Sequence, residues 1–173
     1  MHATAGFAAL AVAILLFAIT TAPSASAATS DDACALVTRA QVSAVVGVPV
    51  DAGTHVTPTF VKTCTWGPTG GAREDVKAVT ISFQNAASYD AGKRLMQQTQ
   101  AVVNQTQGGA SMASDSASGV GDDAYYTSMG AGYTALMVKK GNVALKIAIY
   151  GGMPTDKKKA VEKALALQAL SKL

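Results

Sequence analysis

Charge is scarce in this chain. Only 14% of its 173 residues are charged, and 14 Lys+Arg against 11 Asp+Glu leave a formal net charge of +3. So small and scattered an excess excludes a surface built to neutralise a nucleic-acid backbone. The 49% apolar content equally excludes a disordered polyelectrolyte. Cysteine is limited to Cys34 and Cys64, too few for a disulfide-dense miniprotein or a four-cysteine zinc site. Histidine is limited to His2 and His55. A Ser-His-Asp triad would have to use His55, yet there is no Gly-x-Ser-x-Gly elbow. No His-Glu-x-x-His motif is present for zinc hydrolysis. The only glutamates, Glu74 and Glu162, stand in polar contexts that read as exposed.

Residues 1–27 contain no Asp, Glu, Lys or Arg. An apolar run from Phe7 to Ile19 has the length of a secretory-signal core and falls short of the roughly 20 residues of a spanning helix. Pro23 breaks a helix, and Ala25-Ser26-Ala27 offers signal peptidase small residues at −3 and −1. Cleavage is expected between Ala27 and Ala28. Residues 28–173 then form a single exported domain, secreted or held in the periplasm or cell envelope, with no transmembrane segment after processing. Export places Cys34 and Cys64 in an oxidising compartment, and with no third cysteine they are expected to pair. Closing that loop stabilises a fold by about 3–4 kcal/mol on the chain-entropy model.

Thr38 and Gln41 have capping-box spacing, with Val37 and Val42 placed as a hydrophobic staple. Gly47 and Pro49 supply the stop, so residues 39–46 read as a helix. Residues 49–57 read as an edge strand. Lys62 to Gly67 reads as another, with Cys64 and Trp66 on one face. A strand is expected from Asp75 to Gln84, where Val79, Ile81 and Phe83 alternate with polar residues. Ser88 is expected to cap a second helix with Asp90 in its first turn. Leu95, Met96, Thr99, Val102 and Val103 form a helical stripe that reads as core packing. The polar stretch 105–118 reads as a flexible loop. Ala124–Ser128, Tyr133–Lys139 and Val143–Tyr150 read as strands, the last two a hairpin around Lys140-Gly141-Asn142. A final helix starts near Thr155 or Asp156, with Lys157 to Lys159 as a solvated face. The element order α-β-β(-β)-α-β-β-β-α predicts an α+β fold, an antiparallel sheet flanked by helices.

No catalytic, cofactor-binding or metal-ligating set emerges. Asp122 and Asp123 are adjacent, and in an extended segment they point oppositely, which makes a poor acid/base pair. Gly119-Val120-Gly121 precedes a strand rather than a helix, so it reads as an unusual turn and not as a phosphate loop. His55 reads as a surface residue of a loop or edge strand. Asp122, Asp123, Tyr125 and Tyr126 remain as a candidate binding surface, since tyrosines on a sheet give an amphipathic face. Tyr125 and Tyr126 cannot both face one core in a regular strand.

Three short motifs together resemble a family. They are Asp32-Ala33-Cys34-Ala35-Leu36-Val37-Thr38, then Cys64-Thr65-Trp66, then Gly119-Val120-Gly121-Asp122-Asp123-Ala124-Tyr125. In order and spacing they resemble small exported bacterial proteins, common as actinobacterial lipoproteins, grouped as a domain of unknown function with a PsbP-like α+β fold. The resemblance spans about residues 31–173. It departs at Ala33, where proline is usual, and in lacking a lipobox, and it brings no catalytic residues. The expected function is a non-catalytic accessory or binding protein of the envelope or medium, with no cofactor and no nucleic-acid partner. Its partner is an unidentified protein or small molecule. The alternatives are a secreted inhibitor of a hydrolase, of the lysozyme or β-lactamase type, and a small enzyme using an Asp122 or Asp123 carboxylate.

Overall fold

The computed structural model describes residues 31–106 and 113–173. The leader 1–27 and the Ala27–Ala28 bond lie outside them. The chain opens with a 3-10 turn, Ala33–Ala35, followed by helix α1, Arg39–Val46. The expected capping box closes α1: Thr38 Oγ1 accepts from the Gln41 N–H at 3.2 Å, and Gln41 Oε1 accepts from the Thr38 N–H at 2.8 Å. Gly47 ends the helix at φ 83°, a left-handed conformation that glycine adopts without steric cost.

Seven strands follow, all in one antiparallel sheet ordered β1-β2-β3-β7-β6-β5-β4. They are β1 Thr54–His55, β2 Thr63–Trp66, β3 Ala78–Asn85, β4 Ala113–Ser116, β5 Asp123–Ser128, β6 Tyr133–Lys140 and β7 Val143–Tyr150. Helix α2, Ala86–Thr106, leads from β3 towards the β4 edge, and α3, Thr155–Leu170, follows β7. The two-residue turn Gly141-Asn142 sets the β6–β7 register, Lys140 opposite Val143. The fold class is α+β, as the element order implies.

Side chains alternate across the strands, so each face has its own cover. One face carries Cys64, Trp66, Val79, Ile81, Leu136, Val138, Leu145, Ile147 and Ile149, all buried. Val42 and Val46 of α1 and Val161, Leu165 and Ala169 of α3 close over it. Burial of each large apolar side chain is worth roughly 1.5–3 kcal/mol, so this layer dominates stability. Cys34 and Cys64 are bonded, tying the 3-10 turn to β2. Gly53 lies hard against that bond: a Cβ there would approach Cys64 Sγ to 2.6 Å and the Trp66 ring to 2.7 Å. The opposite face has a smaller cluster, in which Tyr89 of α2 packs on Tyr125 and Ala144 beside Met96 and Met137.

Several expectations are corrected. The 49–57 edge strand shrinks to Thr54–His55 plus one bridge, Val50 with Pro68. Asn85, not Ser88, caps α2, its Oδ1 accepting from the Ser88 N–H at 2.7 Å, so Asp90 lies beyond the first turn. The stripe is core only in part: Met96 packs against the sheet, whereas Leu95 and Val102 are 63% and 59% exposed. The buried line of α2 runs through Tyr89 and Met96, which face the patch around Tyr125. The side chain of Val103 lies outside the described part. Residues 113–116 form β4 rather than loop, paired along β5; the remainder of that stretch, 107–112, is outside the described residues. Lys158 and Glu162 are fully buried, not solvated. They lie one turn apart on the side of α3 that meets the sheet, where β6 and the preceding turn supply polar partners.

Candidate functional site

A cleft of about 430 Å³ opens between α2 and the β4–β5 edge of the sheet. Helix α2 contributes Lys93, Met96, Gln97, Gln100 and Ala101, each about one helical turn or less from the next. Strand β4 presents Ser114 and Ser116, and β5 presents Ala124 and Tyr125. Gly92 lets α2 sit close, since a Cβ there would already be 3.3 Å from the Tyr125 hydroxyl. Met96, Ala101 and the Tyr125 ring give the cleft an apolar part, whereas the Ala124 methyl points into the core on the other face. Gln97, Gln100, Ser114 and Ser116 give it neutral hydrogen-bonding groups. The Gln100 Oε1 acceptor is shielded from solvent and has no hydrogen-bond partner among the described residues.

Charge beside the cleft is internally balanced. Lys93 Nζ donates to both oxygens of Asp123, at 2.8 and 2.6 Å, and Lys139 Nζ donates to Asp90 at 2.7 Å. The bond from Lys93 holds the Asp123 carboxyl below its usual range. Burial, then the nearby Asp123 carboxylate, push the phenols of Tyr89 and Tyr125 up, so both stay neutral. Their rings tilt together at 5.3 Å.

The four residues of the candidate binding surface divide between places. Tyr125 lines the cleft, and Asp123 adjoins it through its pair with Lys93. Asp122 is exposed at the sheet end, its Oδ2 accepting from the Gly141 N–H at 2.7 Å. Gly121 beside it has φ 61°, and any side chain there would collide with the Lys139 carbonyl, which explains the glycine of the Gly-Val-Gly-Asp motif. Tyr126 turns to the α3 face, where its hydroxyl donates to the Lys159 carbonyl at 3.1 Å and Lys159 Nζ sits over its ring. Both tyrosines therefore lie under helices, on opposite faces. The contributions of Gln97, Gln100, Ser114 and Ser116 were not visible in the sequence: polar residues bear no periodic signal, and the α2–β4 approach is a long-range event.

His55 is placed on the edge strand as expected, yet it is not idle. Its Nε2 lies 2.8 Å from Asp32 Oδ1, and this bond holds the Asp32 carboxyl below its usual range. Ligand atoms of Asp32, Cys34 and His55 fall within 4.8 Å of one another. Cys34 Sγ is spent in the bond to Cys64, so the trio acts as a second staple beside the disulfide rather than a thiolate centre. The other buried polar group is at α3. Thr134 Oγ1 donates to Glu162 Oε1 at 2.6 Å, and Lys158 Nζ donates to the Ala131 carbonyl. Burial pushes the Glu162 carboxyl up to about 8 and pulls the Lys158 ammonium down.

No family model, curated protein or solved structure matches this chain. The resemblance to small exported bacterial proteins is borne by the three motifs alone. Among the described residues no helix is long and apolar enough to cross a membrane.

Proposed function

We propose that this is an exported, non-catalytic binding protein of the cell envelope or medium, and that the α2–β4–β5 cleft holds its ligand. The observation that carries the reading is the mixed lining of that cleft around the shielded Gln100 acceptor, which has no partner among the described residues. A shielded acceptor without a donor costs about 1–3 kcal/mol, a cost that a ligand N–H or O–H removes. Lys93 is already neutralised by Asp123, so the lining favours a small uncharged molecule with one apolar face. Short saccharides have that chemistry. Export rests on the leader with its Ala27–Ala28 junction and is supported by the Cys34–Cys64 bond.

Thermal-shift and calorimetric titration of the 28–173 chain against neutral mono- and disaccharides tests the cleft. Ala101→Trp fills the cleft from an exposed helical position and is expected to abolish any binding while leaving the unliganded melting temperature nearly unchanged. Binding that survives Ala101→Trp, or no binding across the panel, sinks the proposal. Intact mass of the exported protein is expected to begin at Ala28; a chain retaining Phe7–Ile19 overturns the export reading.

A further inference from the structure

The disulfide lies where three segments meet, each held by contacts of its own. The 3-10 turn brings Asp32 and Cys34 together, the Cys34 N–H donating to Asp32 Oδ1 at 2.8 Å. The same turn is tied to the β1–β2 loop, where the Val61 carbonyl accepts from the Ala33 N–H at 2.9 Å. In the β1–β2 ladder His55 stands directly opposite Cys64, so the two side chains leave the same face of the sheet. The His55 ring reaches back to Asp32, Nε2 to Oδ1 at 2.8 Å, and the ligand atoms of Asp32, Cys34 and His55 lie within 4.8 Å of one another. Cys64 Sγ, bonded to Cys34 Sγ, adds a fourth donor to the group. Gly53 has no side chain to crowd that sulfur: a Cβ there would stand 2.6 Å from it. Asp32, Cys34 and His55 are half-buried, and Cys64 is fully buried.

We infer that opening this disulfide converts the group into a Zn2+ site, with the Cys34 and Cys64 thiolates, the His55 imidazole and the Asp32 carboxylate as ligands. A dithiol reductant supplies the two electrons. One of its thiolates attacks Cys34 Sγ, the half-buried partner, and Cys64 leaves, taking up the proton that thiol gave up. The second thiol of the reductant resolves the mixed disulfide, which frees Cys34 as a thiol and leaves the reductant as its own disulfide. Zn2+ then displaces one proton from each protein thiol, and both protons go to water. Two sulfurs, a nitrogen and an oxygen suit tetrahedral Zn2+, and the thiolates disfavour Mg2+ and Ca2+. Donors around such an ion sit about 3.3–3.8 Å apart. The Asp32–His55 contact therefore opens by roughly 0.5–1 Å as the ion enters, and the widest gap in the trio closes by no more than about 1.5 Å. A disulfide oxidant reverses the sequence: it re-forms the Cys34–Cys64 bond, takes up two protons as it becomes two thiols, and releases Zn2+. The bond is thus a redox gate on the ion. This site is independent of the α2–β4–β5 cleft and of what the cleft holds.

The test takes the exported protein in its disulfide form and after anaerobic reduction with a phosphine, and titrates each with Co2+ as a spectroscopic probe and then with Zn2+. The dithiol form is expected to bind one Co2+, with the d–d absorption of a tetrahedral site and a charge-transfer band of two thiolates, both lost when Zn2+ displaces the probe. Zn2+ affinity should be at least about 100-fold higher in the dithiol form than in the disulfide form. His55→Gln and Asp32→Asn should each lower the affinity of the dithiol form at least about 10-fold, since losing even a group outside the ligand shell costs that much. If the reduced chain unfolds without metal, Zn2+ should restore the circular dichroism of the oxidised protein and a chelator should abolish it, because metal binding then drives folding. A disulfide oxidant added to the loaded protein should release one Zn2+ for each disulfide re-formed, read with a colorimetric chelator. Equal Zn2+ affinity in the two redox forms overturns the inference. So does wild-type affinity in either variant, which would leave the thiols without that ligand, and so does a reduced chain that stays unfolded with Zn2+ present. Retention of the ion by the re-oxidised protein would refute the gate.

Discussion

Single residues carry the sharpest electrostatic consequences. Glu162 is buried, with Oε1 accepting from Thr134 and the Ile149 N–H close to the carboxyl. Its carboxyl titrates near 8 in the folded protein instead of near 4.5. Between those values the unfolded chain has released the proton and the folded chain has kept it. Stability therefore falls as pH rises through this window and levels off above it. Urea melts at pH 5 and pH 8 should differ by on the order of 3 kcal/mol in favour of pH 5. Glu162→Gln keeps the shape and the bond from Thr134 but removes the proton, so its profile should be nearly flat across the window. A wild-type profile as flat as that of the variant would refute the buried-acid account. Tyr89 makes a complementary case. Its buried hydroxyl lies beside the Asp123 carboxylate and helps to hold that group ionised, so Tyr89→Phe should destabilise by about 1 kcal/mol.

At the scale of elements, α1 and α2 differ in what holds them. Helix α1 has only the span Arg39–Val46, so its end caps matter. Thr38→Ala removes the Oγ1 acceptor of the capping box and should cost about 1 kcal/mol in chemical denaturation. Helix α2 is long and meets the sheet along a narrow line. Met96→Ala, on that line, should destabilise by roughly 1–3 kcal/mol, whereas Leu95→Lys, one position round the helix, should stay within about 0.5 kcal/mol. Equal costs for the two would mean that α2 sits in a different rotation. The capping box, the Gly47 stop, the Cys64–Trp66 alternation and the β6–β7 hairpin were legible because each is a local signal. The rotation of α2 was not: Leu95, Val102 and Met96 are all apolar at helical spacing, and only the position of Tyr125 selects among them.

For the whole molecule, the disulfide is the main covalent constraint, joining residues 30 apart. Replacing both cysteines by serine should cost roughly 2–5 kcal/mol, measured as the loss of unfolding free energy under identical conditions. The same change frees the 3-10 turn that anchors the β1–β2 loop. It should also speed protease nicking within 56–60 more than elsewhere.

Local chemistry in the chain already determined the α+β class, the pairing of the only two cysteines, most strand positions and both ends of α1. These follow from periodicity, turn residues and counting, none of which needs a distant partner. Tertiary structure alone decided that β3 pairs with β7, that 113–116 completes the sheet edge, and that α2 shows Leu95 to solvent. It also decided the fate of charge. Lys158 and Glu162 look like two members of a solvated helical run until α3 lies on the sheet and the Ala131 carbonyl and Thr134 hydroxyl arrive from β6 and its turn. The cleft has the same origin, since Gln100 and Ser116 share it only because β4 returns beside β5 beneath α2. Contacts between residues far apart in the chain depend on how two surfaces meet, and a polar side chain carries no local mark of the surface it will meet.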